Sequence, residues 1–237
     1  MNSGTGTERR AQVALIGSVG VPTVGYYQRE LLARGLDVTV FLNEKKESSR
    51  NLEIWKQRTG GEFPPLDIDP ASVRSFKRIS SPDCAGILAQ YDIAVNGGVL
   101  EILTSQAFEA PRLGVVNAHP GILPKYRGCT AVEWSIHNGD PVGVTAHLID
   151  EGIDTGPVLA TRTISLNGCE SYQDVRLSIY RLSFELAATA VSDLLSGRAQ
   201  PVAQGKGKYW KPIDEERMAK VISMCGPVPP ARAGVSR

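Results

Sequence analysis

Two short apolar runs on either side of one helical stretch constrain this chain more than any other feature of it. Val13–Gly17 is apolar throughout, and Val38–Leu42 is apolar and β-branched. Runs this short, bounded by turn residues, fit strands buried on both faces. Between them Thr23–Arg34 has helical spacing, and Gly35 supplies its stop. Strand, helix, strand at this spacing is a βαβ unit, which implies a parallel sheet. Ligands of such sheets bind beyond the carboxyl ends of the strands. The turns after each apolar run are therefore where function is sought.

Further runs extend the sheet. Ile93-Ala94-Val95 precedes Gly97-Gly98, and Gly114–Asn117 is another short strand. Val142–Ile149 and Val158–Leu166 are β-branched neighbours and suggest an antiparallel or mixed edge. Tyr172–Ser196 reads as a long helix with Val175, Ile179, Leu182, Leu186, Val191 and Leu194 on one face. Ser171 with Asp174 forms its capping signal, and Gly197 its stop. Residues 43–80 are polar and weakly periodic, and no element is assigned there. The expected organisation is one α/β domain over 11–200 with a C-terminal extension over 201–225. Residues 1–10 and 226–237 are expected to be a disordered leader and tail.

The totals exclude several classes. The formal charge is +1 over 237 residues, which gives no electrostatic case for nucleic acid or an anionic membrane. No apolar run approaches the roughly 20 residues that cross a bilayer. Arg9 and Arg10 before Val13–Ile16 imitate a signal peptide, but the run is too short and Gly17, Gly20 and Pro22 interrupt it. Cys84, Cys129, Cys169 and Cys225 form no CxxC pair and have no histidine at zinc-finger spacing. Four reduced thiols in a cytoplasmic protein, with no metal, are expected.

The segment from Gly114 to Pro157 carries the chemistry. Asn117 and His119 end an apolar strand two residues apart, so extended backbone points them to one face. Pro120 keeps His119 out of helical conformation. Asp154 lies in a glycine-rich loop between two strands, where backbone can approach a ligand closely. An amide donor, an imidazole and a carboxylate are what acyl transfer to an amine requires. Alone, Asn-x-His is common by chance, with Asn117 a turn cap and His119 a structural ring. His147 is read as structural and His137 as a surface residue. In the loop after the first strand, Gly17 and Ser18 fit the opening of an anion nest. The loop lacks GxGxxG, so a dinucleotide is poorly supported. Lys125, Tyr126 and Arg127 can meet phosphate or sugar hydroxyls. Trp134 lies on the helix that follows.

Asn117-x-His119-Pro120, then Leu123-Pro124, Arg127-Gly128 and Asp154-x-Gly156, resemble the folate-dependent formyltransferase family. The resemblance covers roughly residues 90–165 strongly and the N-terminal βαβ pattern weakly. It implies a Rossmann-like formyltransferase fold, mostly parallel sheet with helices on both faces. It implies a catalytic trio of Asn117, His119 and Asp154, with Asp154 keeping His119 charged, and neither a metal nor a covalent intermediate. The one-carbon donor is then 10-formyltetrahydrofolate. Its pterin is expected at a strand-to-helix turn spanning Leu100, Glu101, Ile102 and Leu103. The loop Ile149, Asp150, Glu151, Gly152, Ile153 is expected to close over the other side. The family often has a basic residue where Glu101 stands, which matters only if that side chain is used. Of the acceptors the family serves, a nucleotide-linked amino sugar is expected, bound by Gly17, Ser18, Lys125, Tyr126, Arg127 and Trp134. Glycinamide ribonucleotide and water, the latter making a hydrolase, are the alternatives. The residues after Leu166 are too few for the RNA-binding domain of the methionyl-tRNA enzymes, so a tRNA acceptor is not expected. A homodimer is compatible with the resemblance.

Overall fold

The computed structural model describes residues 10–226. The expected leader and tail lie outside them, apart from Arg10 and Gly226. The first half runs β1 (Gln12–Ser18), α1 (Thr23–Leu32), β2 (Asp37–Asn43), α2 (Ser49–Thr59), β3 (Val73–Phe76), α3 (Pro82–Leu88), β4 (Ile93–Asn96) and α4 (Ser105–Phe108). The second runs β5 (Val115–His119), β6 (Arg127–Gly128), α5 (Ala131–His137), β7 (Gly143–Leu148), β8 (Val158–Thr163), α6 (Tyr172–Leu195), β9 (Tyr209–Trp210) and α7 (Glu215–Met224).

Seven strands form one sheet in the order β3-β2-β1-β4-β5-β7-β8. The first five are parallel. β7 and β8 add on antiparallel, which is the mixed edge the sequence predicts. Alternation along β1 divides the core in two. Val13 and Leu15 pack with α1 and α6, through Val24, Leu31, Ile179 and Phe184. Ala14 and Ile16 pack on the opposite face with Cys84 and Leu88 of α3 and Phe108 of α4. Both faces are thus covered, and each large buried side chain contributes about 1.5–3 kcal/mol.

The predicted capping of α6 is present, with Ser171 Oγ accepting from the Asp174 N–H at 3.1 Å. Residues 43–80, unassigned from sequence, hold α2 and β3. Only Thr59 of α2 is fully buried, so its apolar stripe is too thin to read. β3 is a short edge strand. β8 ends at Thr163, three residues earlier than expected.

The extension is not a loose appendage. Val202 bridges Val158, and β9 pairs in parallel with β6. The Trp210 ring stacks on Tyr126 at 5.5 Å and meets Trp134 at 4.7 Å. α7 then packs beside α5. Among the described residues no helix is long and apolar enough to cross a membrane. All four cysteines are free thiols.

Candidate active site

In this strand order the connections run one way from β1 and the other way from β4, so a crevice opens beyond their carboxyl ends. A cavity of about 140 Å³ lies there, lined by Thr23, Tyr27, Gly97, Asn96 and Asn117 among others. Thr23 and Tyr180 also line an adjoining groove of about 590 Å³ that reaches Trp55 and Arg58.

Three side chains form a row across β4, β5 and β7. Asn96 Oδ1 accepts from the Gly98 and Val99 N–H groups at 3.1 and 3.0 Å. That orientation aims its Nδ2 at Asn117 Oδ1, 3.1 Å away. Asn117 Nδ2 therefore faces the other way and donates to His147 Nε2 at 3.2 Å. The proton of His147 then sits on Nδ1, which donates to the Leu148 carbonyl at 2.8 Å. Backbone groups anchor both ends of the row, so the amide of Asn117 has one allowed orientation. One of its two N–H hydrogens goes to His147, leaving the other for a ligand.

His119 and Asp154 meet beside this row. His119 is buried, with Nε2 donating to the Tyr126 carbonyl at 2.6 Å and Nδ1 3.4 Å from Asp154 Oδ2. Asp154 Oδ1 lies 3.7 Å from His147 Nε2. The Gly128 N–H donates to Asp154 Oδ2 at 2.8 Å. Asp154 itself has φ 55°, the left-handed region that few non-glycine residues adopt. Burial pushes the His119 imidazole below its ordinary value, and the Asp154 carboxylate opposes this only in part. Asp154 and the Tyr126 carbonyl act as the sequence-based expectation has it, in favour of the charged ring, and burial acts against them. Burial would raise the Asp154 carboxyl, but His147, His119 and the Gly128 N–H together hold it below the usual carboxylate range.

The remaining expected residues fall in several places. Leu100–Leu103 is an irregular loop, and the helix after it starts only at Ser105. The Glu101 carboxylate accepts from Asn43 Nδ2 at 3.3 Å and the Ser80 N–H at 2.9 Å, and faces Arg78. It tethers this loop to β2 and to the turn after β3, a side-chain role that the sequence left open. Ile102 is 87% exposed and Leu103 packs into the core. In the facing loop the Ile149 N–H pairs with Val115, Asp150 accepts from Gly152 and Thr155, Glu151 is exposed, and Ile153 is 58% exposed.

The expected acceptor residues need the larger correction. Ser18 is buried and its Oγ accepts the Leu100 N–H at 2.8 Å. Gly17 is packed against Val24, and the Val19 N–H is taken by the Asn43 carbonyl. No open anion nest exists there. Tyr126 is buried and bonds Asp140, which also pairs with Lys125. Arg127 bonds Gln204, and Trp134 bonds the Lys211 carbonyl. These residues anchor the extension rather than line the crevice. Sequence reasoning passed over Asn96 and Gln204, and took His147 only as structural. Single amides carry no pattern; an asparagine at the end of one apolar run and another near the end of the next, Asn96 and Asn117, were the available signal.

A family model described as formyl transferase matches residues 68–186, half of the chain. A methionyl-tRNA formyltransferase of Synechocystis sp. is 37% identical over 155 residues, covering 61% of this chain and 47% of that protein. The matches to curated relatives cover between 33% and 60% of those proteins' length. Among solved structures, a 4-N formyltransferase from Francisella tularensis aligns with TM-score 0.64 and 18% identity, covering 93% of this chain and 90% of that one. The formyltransferase PseJ from Anoxybacillus kamchatkensis, in complex with UDP-4,6-dideoxy-4-formamido-L-AltNAc and tetrahydrofolate, aligns with TM-score 0.58 and 18% identity, covering 91% and 100%. With its mostly parallel sheet and the Asn117–Asp154 segment inside the matched region, the chain belongs to the formyl transferase family.

Proposed function

We propose that this chain transfers a formyl group from 10-formyltetrahydrofolate to the amine of a nucleotide-linked amino sugar, with Asn117, His119 and Asp154 as catalytic residues. The observation that carries this is their convergence: an amide held donor-outward beside a buried imidazole 3.4 Å from a carboxylate. The amine attacks the formyl carbon. The unused Asn117 N–H donates to the oxyanion that develops there. His119, with Nε2–H held by the Tyr126 carbonyl, presents Nδ1 toward Asp154, and this pair takes the proton that the attacking amine loses. That proton passes to the departing folate nitrogen as its bond to the formyl carbon breaks, and collapse releases tetrahydrofolate and the formamide.

The loops 100–103 and 149–153 are the proposed seat of the pterin, since each presents one exposed isoleucine, Ile102 and Ile153. The Leu100 N–H is already held by Ser18, so backbone of residues 101–103 would meet the pterin edge. For the acceptor, the groove that adjoins the Asn117 cavity offers the Trp55 ring for a base and Arg58, part-exposed although it also faces Glu133, for a phosphate. The nucleotide sugar held by the PseJ structure supports this class. The curated relatives favour a second reading, methionyl-tRNA.

The test is tetrahydrofolate release from 10-formyltetrahydrofolate with a UDP-linked 4-amino sugar, glycinamide ribonucleotide, initiator methionyl-tRNA or no amine. Rapid release with the sugar alone supports the proposal. Release only with the tRNA moves the acceptor to the second reading, and equal release without amine makes the chain a hydrolase.

A further inference from the structure

We infer that Gln204, on the C-terminal strap, is a positioning residue that clamps the Asp154 turn against β6 and so sets the distance between Asp154 and His119. The inference rests on the catalytic reading above, but its geometry stands alone. Gln204 Nε2 donates to the Asp154 carbonyl at 3.1 Å and to the Gly156 carbonyl at 2.6 Å. Its Oε1 accepts from Arg127 Nη2 at 2.9 Å, and the same nitrogen reaches the Gly205 carbonyl at 3.0 Å. One amide thus ties the loop bearing Asp154 to the turn that bears Arg127 and Gly128.

The strap holds the other side of the carboxylate too. The Arg127 N–H donates to Lys208 O and the Cys129 N–H to Trp210 O, at 3.2 and 3.0 Å. Between them, the Gly128 N–H is left to donate to Asp154 Oδ2. The approach is close enough to demand glycine twice: a Cβ on Gly207 would lie 2.1 Å from Pro124 O, and one on Gly128 2.6 Å from Trp210 O. Asp154 sits in a left-handed conformation that needs outside support to persist. Gln204 supplies it at the carbonyl of that very residue. The strap lies beyond residues 68–186 that match the family model, so the matched segment carries the trio while residues after it hold the trio in register.

The experiment uses the full chain with Gln204→Met, which keeps length and loses both donors, and Gln204→Glu, which sets a carboxylate against two carbonyls. Ile213→Ala, which trims a partly buried apolar contact of the strap nine residues beyond Gln204, is the control. Reaction rates are measured with the acceptor that the panel above selects. The two Gln204 variants are expected to lose about 10- to 100-fold in kcat, as a misplacement of about 1 Å does, with KM for 10-formyltetrahydrofolate within about twofold. Ile213→Ala is expected to keep kcat. The second readout is the His119 titration by nitrogen NMR. His119 is faced by Asp154, by His147 and by the Tyr126 carbonyl, so retreat of Asp154 moves its midpoint further down. Unchanged kcat together with an unmoved His119 titration in both Gln204 variants overturns the clamp, as does an equal loss in Ile213→Ala. If Asn117→Ala turns over at the wild-type rate, the catalytic reading fails instead, and the His119 titration alone decides the clamp.

Discussion

Asn117→Asp isolates the amide donor at nearly constant shape. An oxygen replaces Nδ2, so the bond from Asn96 Nδ2 survives while the donor to His147 Nε2 and the free N–H toward the ligand are lost. Removing one oxyanion donor costs about 10²–10³ in kcat. The introduced carboxylate adds repulsion: about 3 Å from a developing unit charge, at an effective dielectric near 20, the Coulomb term is about 5 kcal/mol. The combined loss is therefore at least on the order of 10⁴ at neutral pH. Protonating the new carboxyl restores a donor and removes the charge, so part of the loss returns as pH falls. The assay is tetrahydrofolate release across pH, beside Asn117→Ala, which has no proton to regain and stays low at every pH. Wild-type turnover in Asn117→Asp, or a loss that no acidification relieves while the wild type stays active, refutes the assignment of Asn117 as the oxyanion donor.

Three further outcomes are expected. Glu133 is fully buried against Arg176, Arg58 and Tyr172, so Glu133→Gln strands a buried guanidinium. Urea unfolding should show a loss of about 3–5 kcal/mol, much of it recovered when Arg176→Met is paired with Glu133→Leu. Stability should also fall in acid. His119 is held below its ordinary 6.5, so below that pH the unfolded chain binds a proton that the folded chain refuses. The stability of the neutral ring is complete above about 6.5 and erodes as pH drops toward the folded value. Asp154 is held below 3.8, so its contribution stands above that value and goes as pH falls through the folded one. Denaturant titrations at pH 7.5 and 5.5 should show the first slope, and His119→Gln should flatten it. Gly156→Ala would place a Cβ 1.9 Å from the Leu148 carbonyl. The turn before β8 must open, costing about 3 kcal/mol and pulling Gly156 O from Gln204, with thermal unfolding and kcat as readouts.

What could be read from the residues follows from how local each interaction is. The strands β1 and β2 and the helix α6 announce themselves because their patterns close within one element: apolar runs, 3.6-residue spacing, the Ser171 cap. Asn117 and His119 were placed together because strand alternation is also local. α2 escaped notice because it buries so little, and β3 because four edge residues hold no alternation. The acceptor residues were misjudged for a different reason. Lys125, Tyr126, Arg127 and Trp134 are polar or aromatic and follow β5, which fits ligand contact and interior anchoring equally well in one dimension. Their partners, Asp140, Gln204, Trp210 and Lys211, lie up to 85 residues away in sequence, and only the folded strap decides between the two. The same logic explains His147. A histidine on an antiparallel strand reads as filler until the register sets it opposite Asn117, where its tautomer helps fix which way the Asn117 amide points. Contacts that close over long sequence distances are the ones that position the reactive groups here, so a variant in the strap should alter chemistry at Asp154 without touching any residue of the recognisable motif.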